Sequence, residues 1–244
     1  MQSTLSTLFT PAQKERLRAA VPLRTSCRSF SAAPDLQTAA ALAYQAGRFA
    51  LPGVSLRLIS VTEDVFTNIT GCCMAAAVSV SQSDWRSRLH AGISGEAFIL
   101  EATAMGLGTC WVGGSFRRTL VEGAVPPGET LLCLIALGIP PQPLSAPVSR
   151  PRMAPDQLCL GAWRLWPQPF TDAAALVQIA PSGMNQQPWK LLRTPQGDFA
   201  LDAPLHSTLD AGIALCHAEL ALMSPHTWRF SDKTGEPLAT TVFR

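Results

Sequence analysis

Three stretches of this chain hold residue types that could do chemistry together. Ala180 to Leu191 reads A-P-S-G-M-N-Q-Q-P-W-K-L, placing the hydroxyl of Ser182 beside the amides of Asn185, Gln186 and Gln187. Such groups donate and accept hydrogen bonds without carrying charge, which suits the heteroatom-rich edge of a planar ligand. Taken alone, an ordinary polar connection reads the same way. Arg24 to Phe30 reads R-T-S-C-R-S-F. Two arginines on either side of Ser26 suit a phosphate, the guanidinium forks supplying charge and the hydroxyl completing the shell; a solvated basic turn is the alternative. Gly106 to Phe116 reads G-L-G-T-C-W-V-G-G-S-F. Four glycines let the backbone approach a flat ligand and expose its N–H groups, or simply make a turn. It is not a phosphate loop of the G-K-[ST] kind, because it follows a helix and lacks that ending.

A second arginine pair, Arg150 and Arg152, stands in a proline-rich span from Pro140 to Pro155. In an extended chain, the Arg-Pro-Arg alternation points both guanidinium groups to one side. That makes either a second anion grip or a stiff solvated linker. No Ser-His-Asp, Cys-His or paired-carboxylate set stands out. His90, His206, His217 and His226 read as structural or surface residues, His217 as a partly buried, satisfied histidine on a helix. The seven cysteines form no C-x-x-C pair and no cluster with His at ligand spacing, so neither a disulfide framework nor a metal site is expected. Most of the thiols read as small buried apolar groups.

The elements that must position these stretches are legible in part. Pro34-Asp35 opens a helix that runs to about Ala50, and Leu51-Pro52-Gly53 ends it before a strand at Ser55 to Val61. Gly71 to Val80 reads as helix or buried strand. A second strong helix covers Ile93 to Met105, with Gly106 as its left-handed cap. Leu131 to Leu137 is a continuous apolar run of the buried-strand kind. Asp172 to Ile179 leads by helix into the amide-rich loop, which feeds a strand from Trp189. After a turn at Gly197 and a short strand, a third strong helix runs from Leu209 to Met223. Two weaker strands lie near Trp228 to Phe230 and Ala239 to Phe243.

The 244 residues, 47% hydrophobic and 15% charged, allow a substantial core and exclude a disordered chain. A net charge of +2 with no Lys/Arg run gives no electrostatic case for nucleic acid. The longest apolar stretch is too short to cross a bilayer, and Met1 to Arg18 has no secretory-type apolar core, so a cytoplasmic protein is expected. The chain also echoes itself. The helix–break–strand pattern at Arg48 to Ser60 recurs at Gln178 to Arg193, and His90-Ala91-Gly92-Ile93 recurs as Asp210-Ala211-Gly212-Ile213, 120 residues on. That period suggests a duplicated half-domain and not a solenoid. Only the first half holds the Arg24/Arg28 pair and the Gly-Leu-Gly loop; only the second holds the full Ser182…Asn185…Trp189 loop. A ligand needing both would sit between the halves, once per chain.

In their order along nearly the whole chain, R-T-S-C-R-S-F, G-L-G-T-C-W-V-G-G-S-F, the second arginine pair and A-P-S-G-M-N-Q-Q-P-W resemble the FMN-dependent nitroreductase family, in particular its single-chain branch called "putative TM nitroreductases". The resemblance implies an α+β fold, a nitroreductase-like three-layer α/β/α arrangement with a mainly antiparallel central sheet, internally duplicated. Residues 1–139 would be the first half, 140–157 the connector carrying Arg150 and Arg152, and 158–244 the second half, together forming a monomer that acts as a pseudo-dimer. It also implies a site. Arg24, Thr25, Ser26 and Arg28 would meet the FMN phosphate and ribityl chain, with Arg150 and Arg152 closing on the phosphate. Val112, Gly113 and Gly114 would lie by the isoalloxazine, and Pro181, Ser182 and Asn185 would pack on it from the other half. The activity implied is ping-pong transfer of reducing equivalents from NAD(P)H through FMN to a small aromatic or quinone-like acceptor. Three departures stand out. Thr25 replaces a basic residue common in the family, the glycine loop lacks the family's acidic residue, and the first half's own polar loop has decayed to Leu51-Pro52-Gly53-Val54. The second motivates the alternative of a flavin-binding protein that stores or senses flavin without turnover, and the third argues against a second site.

Overall fold

A computed structural model describes residues 5–145 and 151–243. Helix α1, Pro11–Ala20, opens on a capping box in which the Thr10 hydroxyl accepts from Gln13 N and the Gln13 side chain accepts from Thr10 N, with Pro11 where a missing N–H costs nothing. Helix α2, Leu36–Phe49, starts on the Asp35 carboxylate, which accepts from Thr38 N at 2.7 Å. Strands β1 (Val54–Ser60) and β2 (Met74–Val80) follow, then helix α3 (Trp85–Ala104), strand β3 (Gly108–Val112) and strand β4 (Thr130–Gly138). The second half has a four-residue turn of helix, α4 (Pro155–Leu158), then α5 (Gln168–Gln178), β5 (Lys190–Arg193), β6 (Phe199–Asp202), α6 (Thr208–Ala221), β7 (His226–Phe230) and β8 (Ala239–Phe243).

All named strand pairs are antiparallel, and the strands form two four-stranded sheets, one in each half: β1-β2-β4-β3 and β5-β6-β8-β7. The two orders are one pattern repeated, each sheet preceded by a helix (α2, α5) and interrupted after its second strand by a long one (α3, α6). Helices α3 and α6 pack against each other more extensively than any other pair of elements among the described residues. Both are buried over almost their whole length, so neither shows the clean apolar-polar division of a surface helix. Their crossing is reciprocal. A Cβ on Gly92 would lie 2.0 Å from Leu209 O, and one on Gly212 would lie 2.1 Å from Leu89 O. The sequence echo, Gly92 to Gly212, is therefore the point where the helices touch backbone to backbone.

One core cluster joins the halves: Leu89, Ile93 and Leu100 of α3 with Ile213 and Leu220 of α6 and the aromatics Phe170, Trp189, Phe199 and Trp228. A second fills the space between α2, α3 and one face of the first sheet. A third, with Phe30, Phe66, Ile69 and Phe116, covers that sheet's other face. Strand β2 is thus covered on both sides, which explains why Gly71 to Val80 carries no alternation to separate strand from helix. Helix α3 begins at Trp85, eight residues before its apolar pattern becomes regular, on Asp84, whose carboxylate accepts from Ser87 N at 2.7 Å. Gly106, at φ +81°, ends it as expected. None of the helices among the described residues is long and apolar enough to cross a membrane.

Candidate functional site between the halves

The arginine motif is tied to β3 by one isolated parallel bridge and then to Thr70 by another. Ser26 bridges Thr109 in parallel, Cys27 N donates to Thr109 O at 2.8 Å, and Thr70 N donates to Arg28 O at 3.0 Å. An extended backbone alternates its side chains, so Arg24, Ser26 and Arg28 share one side while Thr25 and Cys27 take the other. Cys27 lies against Gly108, where a Cβ would fall 2.8 Å from its sulfur. Its thiol donates to Ser29 O at 3.0 Å. Burial pushes the Cys27 thiol up, outweighing that hydrogen bond, so it is no thiolate nucleophile at neutral pH.

The glycine loop divides into three jobs. Gly106 caps α3 at positive φ, Gly108 makes room for Cys27, and Gly113 and Gly114, exposed beyond the end of β3, have open space where a side chain would be. Residues 108–112 of that loop are strand, not turn. Val112 is buried beside the two glycines.

In the second half, the loop after α5 is held in a costly shape. Met184, Asn185 and Gln187 have φ of 50°, 58° and 48°, a region that disfavours side-chain-bearing residues, Asn least. The surroundings enforce it. Ser182 Oγ accepts from Gln187 N at 2.9 Å, Gln187 Oε1 accepts from Met153 N at 2.8 Å, and Gln187 Nε2 donates to Gln178 O at 3.0 Å. Gly183 N donates to Asp210 Oδ1 at 2.9 Å at the start of α6; burial pushes the Asp210 carboxyl up despite that hydrogen bond. Arg152 donates from Nη1 to Asn185 Oδ1 and from Nη2 to Ile179 O at 3.3 Å, and Asn185 Nδ2 returns a bond to Pro151 O at 2.9 Å. Pro181 is buried, Ser182 half-buried and Asn185 exposed. Arg150 lies outside the described residues.

One fully buried carboxylate links the two groups, and the sequence reading missed it. Glu96 of α3 accepts from Trp111 Nε1 at 2.8 Å, faces His217 Nε2 at 2.9 Å, and forms an ion pair with the buried Arg24 at 3.9 Å. His217 Nδ1 donates to Leu176 O at 2.9 Å, in the last turn of the helix whose end also receives Arg152. The path Arg24–Glu96–His217–α5–Arg152–Asn185 therefore crosses from the first half to the second. Burial pushes the Glu96 carboxyl up, but the His217 hydrogen bond and charge, Arg24 and Trp111 together outweigh it and hold it below the usual carboxylate range. The only local hint was a glutamate inside an apolar helical run. Gly95 beside it gives room to the Trp111 ring, which a Cβ would meet at 2.2 Å.

The second half carries a counterpart. Glu219 of α6 is buried and takes Trp228 Nε1 at 2.7 Å, His226 Nε2 at 2.9 Å and the Lys14 ammonium, which also donates to Leu222 O at 2.7 Å. In each half, a glutamate on the long helix accepts from the indole of the strand that follows it.

A cleft of about 480 Å³ beside the amide-rich loop is lined by Met153, Gln186, Gln187, Pro188, Trp189 and Lys190, with Asp202 to Pro204. A larger cavity, about 550 Å³, lies over the second sheet with Arg229, Asp232, Lys233 and Glu236 in its lining. Neither includes the arginine motif, and the contacts that join the arginine motif to the amide-rich loop run through the buried Glu96–His217 pair. The donor set of these motifs is guanidinium groups from Arg24, Arg28 and Arg152, the Ser26 hydroxyl, and backbone at Gly113 and Gly114 open to a flat neighbour. It fits a phosphate joined to a planar, heteroatom-edged ring. Among the described residues, no group of three or more His, Cys, Asp or Glu is placed to hold a metal ion.

The fold is shared with a solved structure described as a "putative nitroreductase" from Thermotoga maritima, at 19% identity over 93% of each chain with a TM-score of 0.69. The class is that of the nitroreductase fold. The sequence model of the family described as "Putative TM nitroreductase" matches residues 17–222, and this chain belongs to that family. Weaker similarity extends to a protein of Parabacteroides distasonis described as an NADH dehydrogenase/NAD(P)H nitroreductase (16% identity, 61% of this chain, 99% of that one, TM-score 0.48). It extends also to an FMN-dependent nitroreductase of Clostridium difficile (15% identity, 53% of this chain, 91% of that one, TM-score 0.42). No match was found among curated proteins.

Proposed function

We propose that the chain is an FMN-dependent oxidoreductase of nitroreductase type, passing reducing equivalents from NAD(P)H to a small aromatic or quinone-like acceptor. The observation that carries this reading is the contact path from Arg24 through Glu96 and His217 to Arg152 and Asn185, which joins the arginine motif to the amide-rich loop across the halves. Bound there, FMN would supply the redox chemistry between NAD(P)H and an acceptor.

The protein's part is placement. Arg24, Ser26 and Arg28, on one side of an extended segment, hold the phosphate and ribityl chain with Arg152, while Thr25 faces away. Backbone N–H groups at Val112 to Gly114 donate to the ring edge, where fixed donors favour negative charge as it develops. Pro181, Ser182 and Asn185 would approach from the second half, and the arginines would supply positive charge beside the ring. No side chain is required to act as nucleophile.

The repeated strand order and the reciprocal glycine crossing support a pseudo-dimer within one chain, with 1–139 and 158–244 as halves and 140–157 as connector; a monomer acting in the cytoplasm completes the proposal. The test is the absorption spectrum of purified protein, with released chromophore quantified against chain, followed by NAD(P)H consumption with a quinone or a nitroarene. About one FMN per chain and turnover support the reading. A flavin-loaded protein inert to both nicotinamides would favour storage or sensing, and no FMN after reconstitution removes the enzyme.

A further inference from the structure

Glu96 takes no part in the chemistry proposed above, yet it is wholly buried and carries an ion pair and two further polar contacts drawn from both halves. A buried carboxylate is expensive unless such partners offset it, and here the partners are themselves informative. Arg24 opens the motif assigned to phosphate. Trp111 is in the strand that ends at Val112 and leads into Gly113. His217 comes from the other half and rests on α5, whose end receives Arg152. We propose that Glu96 is a positioning residue of the cofactor site: it holds the Arg24 guanidinium in the direction a phosphate needs, and through His217 it ties that direction to the half carrying Arg152 and Asn185. The proposal rests on the flavin reading of the site.

The counterpart at Glu219 is the same device built on a different cation. There the cation is Lys14, whose ammonium donates to Glu219 and Leu222 O. At Glu96 the cation is an arginine held at 3.9 Å, too long for a hydrogen bond. The contact therefore acts on the guanidinium through charge, at a distance where the Coulomb attraction persists.

The substitution Glu96→Gln separates steering from folding. Its amide oxygen still accepts from Trp111 Nε1, and its amide N–H donates to His217 Nε2 once that nitrogen carries no proton, while Nδ1–H continues to Leu176 O. The negative charge that faces both Arg24 and His217 is lost, and the comparison of FMN with riboflavin isolates the share that acts on phosphate. Binding of FMN and of riboflavin, which lacks the phosphate, is measured by flavin fluorescence titration of the full-length wild type and E96Q. The expected result is roughly a tenfold loss for FMN, the scale of one charge-assisted contact, with riboflavin affinity changed by less than about twofold. Equal losses for both ligands, or none for FMN, overturn the proposal while leaving the flavin site standing. A wild-type protein that binds neither flavin overturns the flavin reading itself, and this inference with it. Should E96Q fail to fold, Glu96→Asp, which keeps the charge and draws it back by one methylene, is expected to show the same FMN-selective loss; an unchanged FMN-to-riboflavin ratio in E96D would equally overturn it.

Discussion

Gly92 and Gly212 face each other where the two long helices cross, each standing where a Cβ would fall about 2 Å from a carbonyl oxygen of the opposite helix, Leu209 O and Leu89 O. This contact sets how closely the halves approach, and everything that spans them, including Glu96 to His217, depends on it. Gly92→Ala and Gly212→Ala are each expected to lower stability by about 3 kcal/mol or more, the upper range of overpacking, because the clash is with backbone that cannot rotate away. Urea unfolding measures it. A loss below about 0.5 kcal/mol in both variants would show that the helices slide apart freely, contrary to the tight crossing.

The strained loop offers a test in the opposite direction. Met184 is 92% exposed with φ 50°, so its side chain contributes no burial while its backbone sits where glycine is at ease. Met184→Gly is expected to be neutral or to stabilise by up to about 1 kcal/mol, the relief at positive φ offset by added freedom in the unfolded chain. A clear drop in the thermal midpoint would mean that the side chain makes a contact in solution.

Arg28 and Arg152 are exposed and half-buried respectively, so their replacement tests binding with little cost to the core. Arg28→Ala is expected to weaken FMN binding by roughly tenfold, as loss of one charge-assisted contact to phosphate implies, and to leave the unfolding midpoint nearly unchanged. Arg152→Ala should weaken it similarly and also release Asn185, visible as faster proteolysis within residues 182–187. An arginine-free variant that binds FMN as the wild type does would remove both from the site.

Glu219 predicts a purely structural loss. Glu219→Ala leaves the buried Lys14 without its countercharge and two N–H donors, on His226 and Trp228, without an acceptor. Breaking such a pair typically costs about 3–5 kcal/mol. Calorimetry should show a large fall in the midpoint, while any folded fraction keeps the wild-type preference for FMN over riboflavin. A selective loss of FMN would assign Glu219 to the site.

Helix α3 is expected to weaken in acid through its cap. The backbone N–H of Ser87 holds the Asp84 carboxyl below its usual value. A depressed pKa in the folded state gives stability that is present above the unfolded value and is lost as pH falls through the folded one. Asp84→Asn should therefore flatten that part of the acid limb below the ordinary carboxylate range. Asp84→Ala should cost about 1 kcal/mol at neutral pH, as loss of an N-cap does. Equal acid limbs in wild type and D84N would rule the cap out as the acid-sensitive element.

What the sequence determined by itself is what short-range rules govern. Asp35 and Gly106 mark helix ends through local hydrogen bonding and a permitted positive φ, and the apolar run at Leu131 to Leu137 is strand because it is buried on both faces. The 120-residue echo announced two sheets of one strand order, and R-T-S-C-R and A-P-S-G-M-N-Q-Q-P-W named the groups that the proposed site would bring together. Where surroundings set the answer, local pattern was silent. The first turns of α3 are polar because they start at the protein's edge, β2 lacks alternation because both its faces are covered, and three of the glycines at Gly106 to Gly114 serve a cap and an open rim while Gly108 serves a sulfur. Only the tertiary structure decided that Glu96 of one half meets His217 of the other. Those residues are far apart along the chain, their pairing follows from the depth of the Gly92–Gly212 crossing, and no local propensity encodes the partner of a charge buried between two helices.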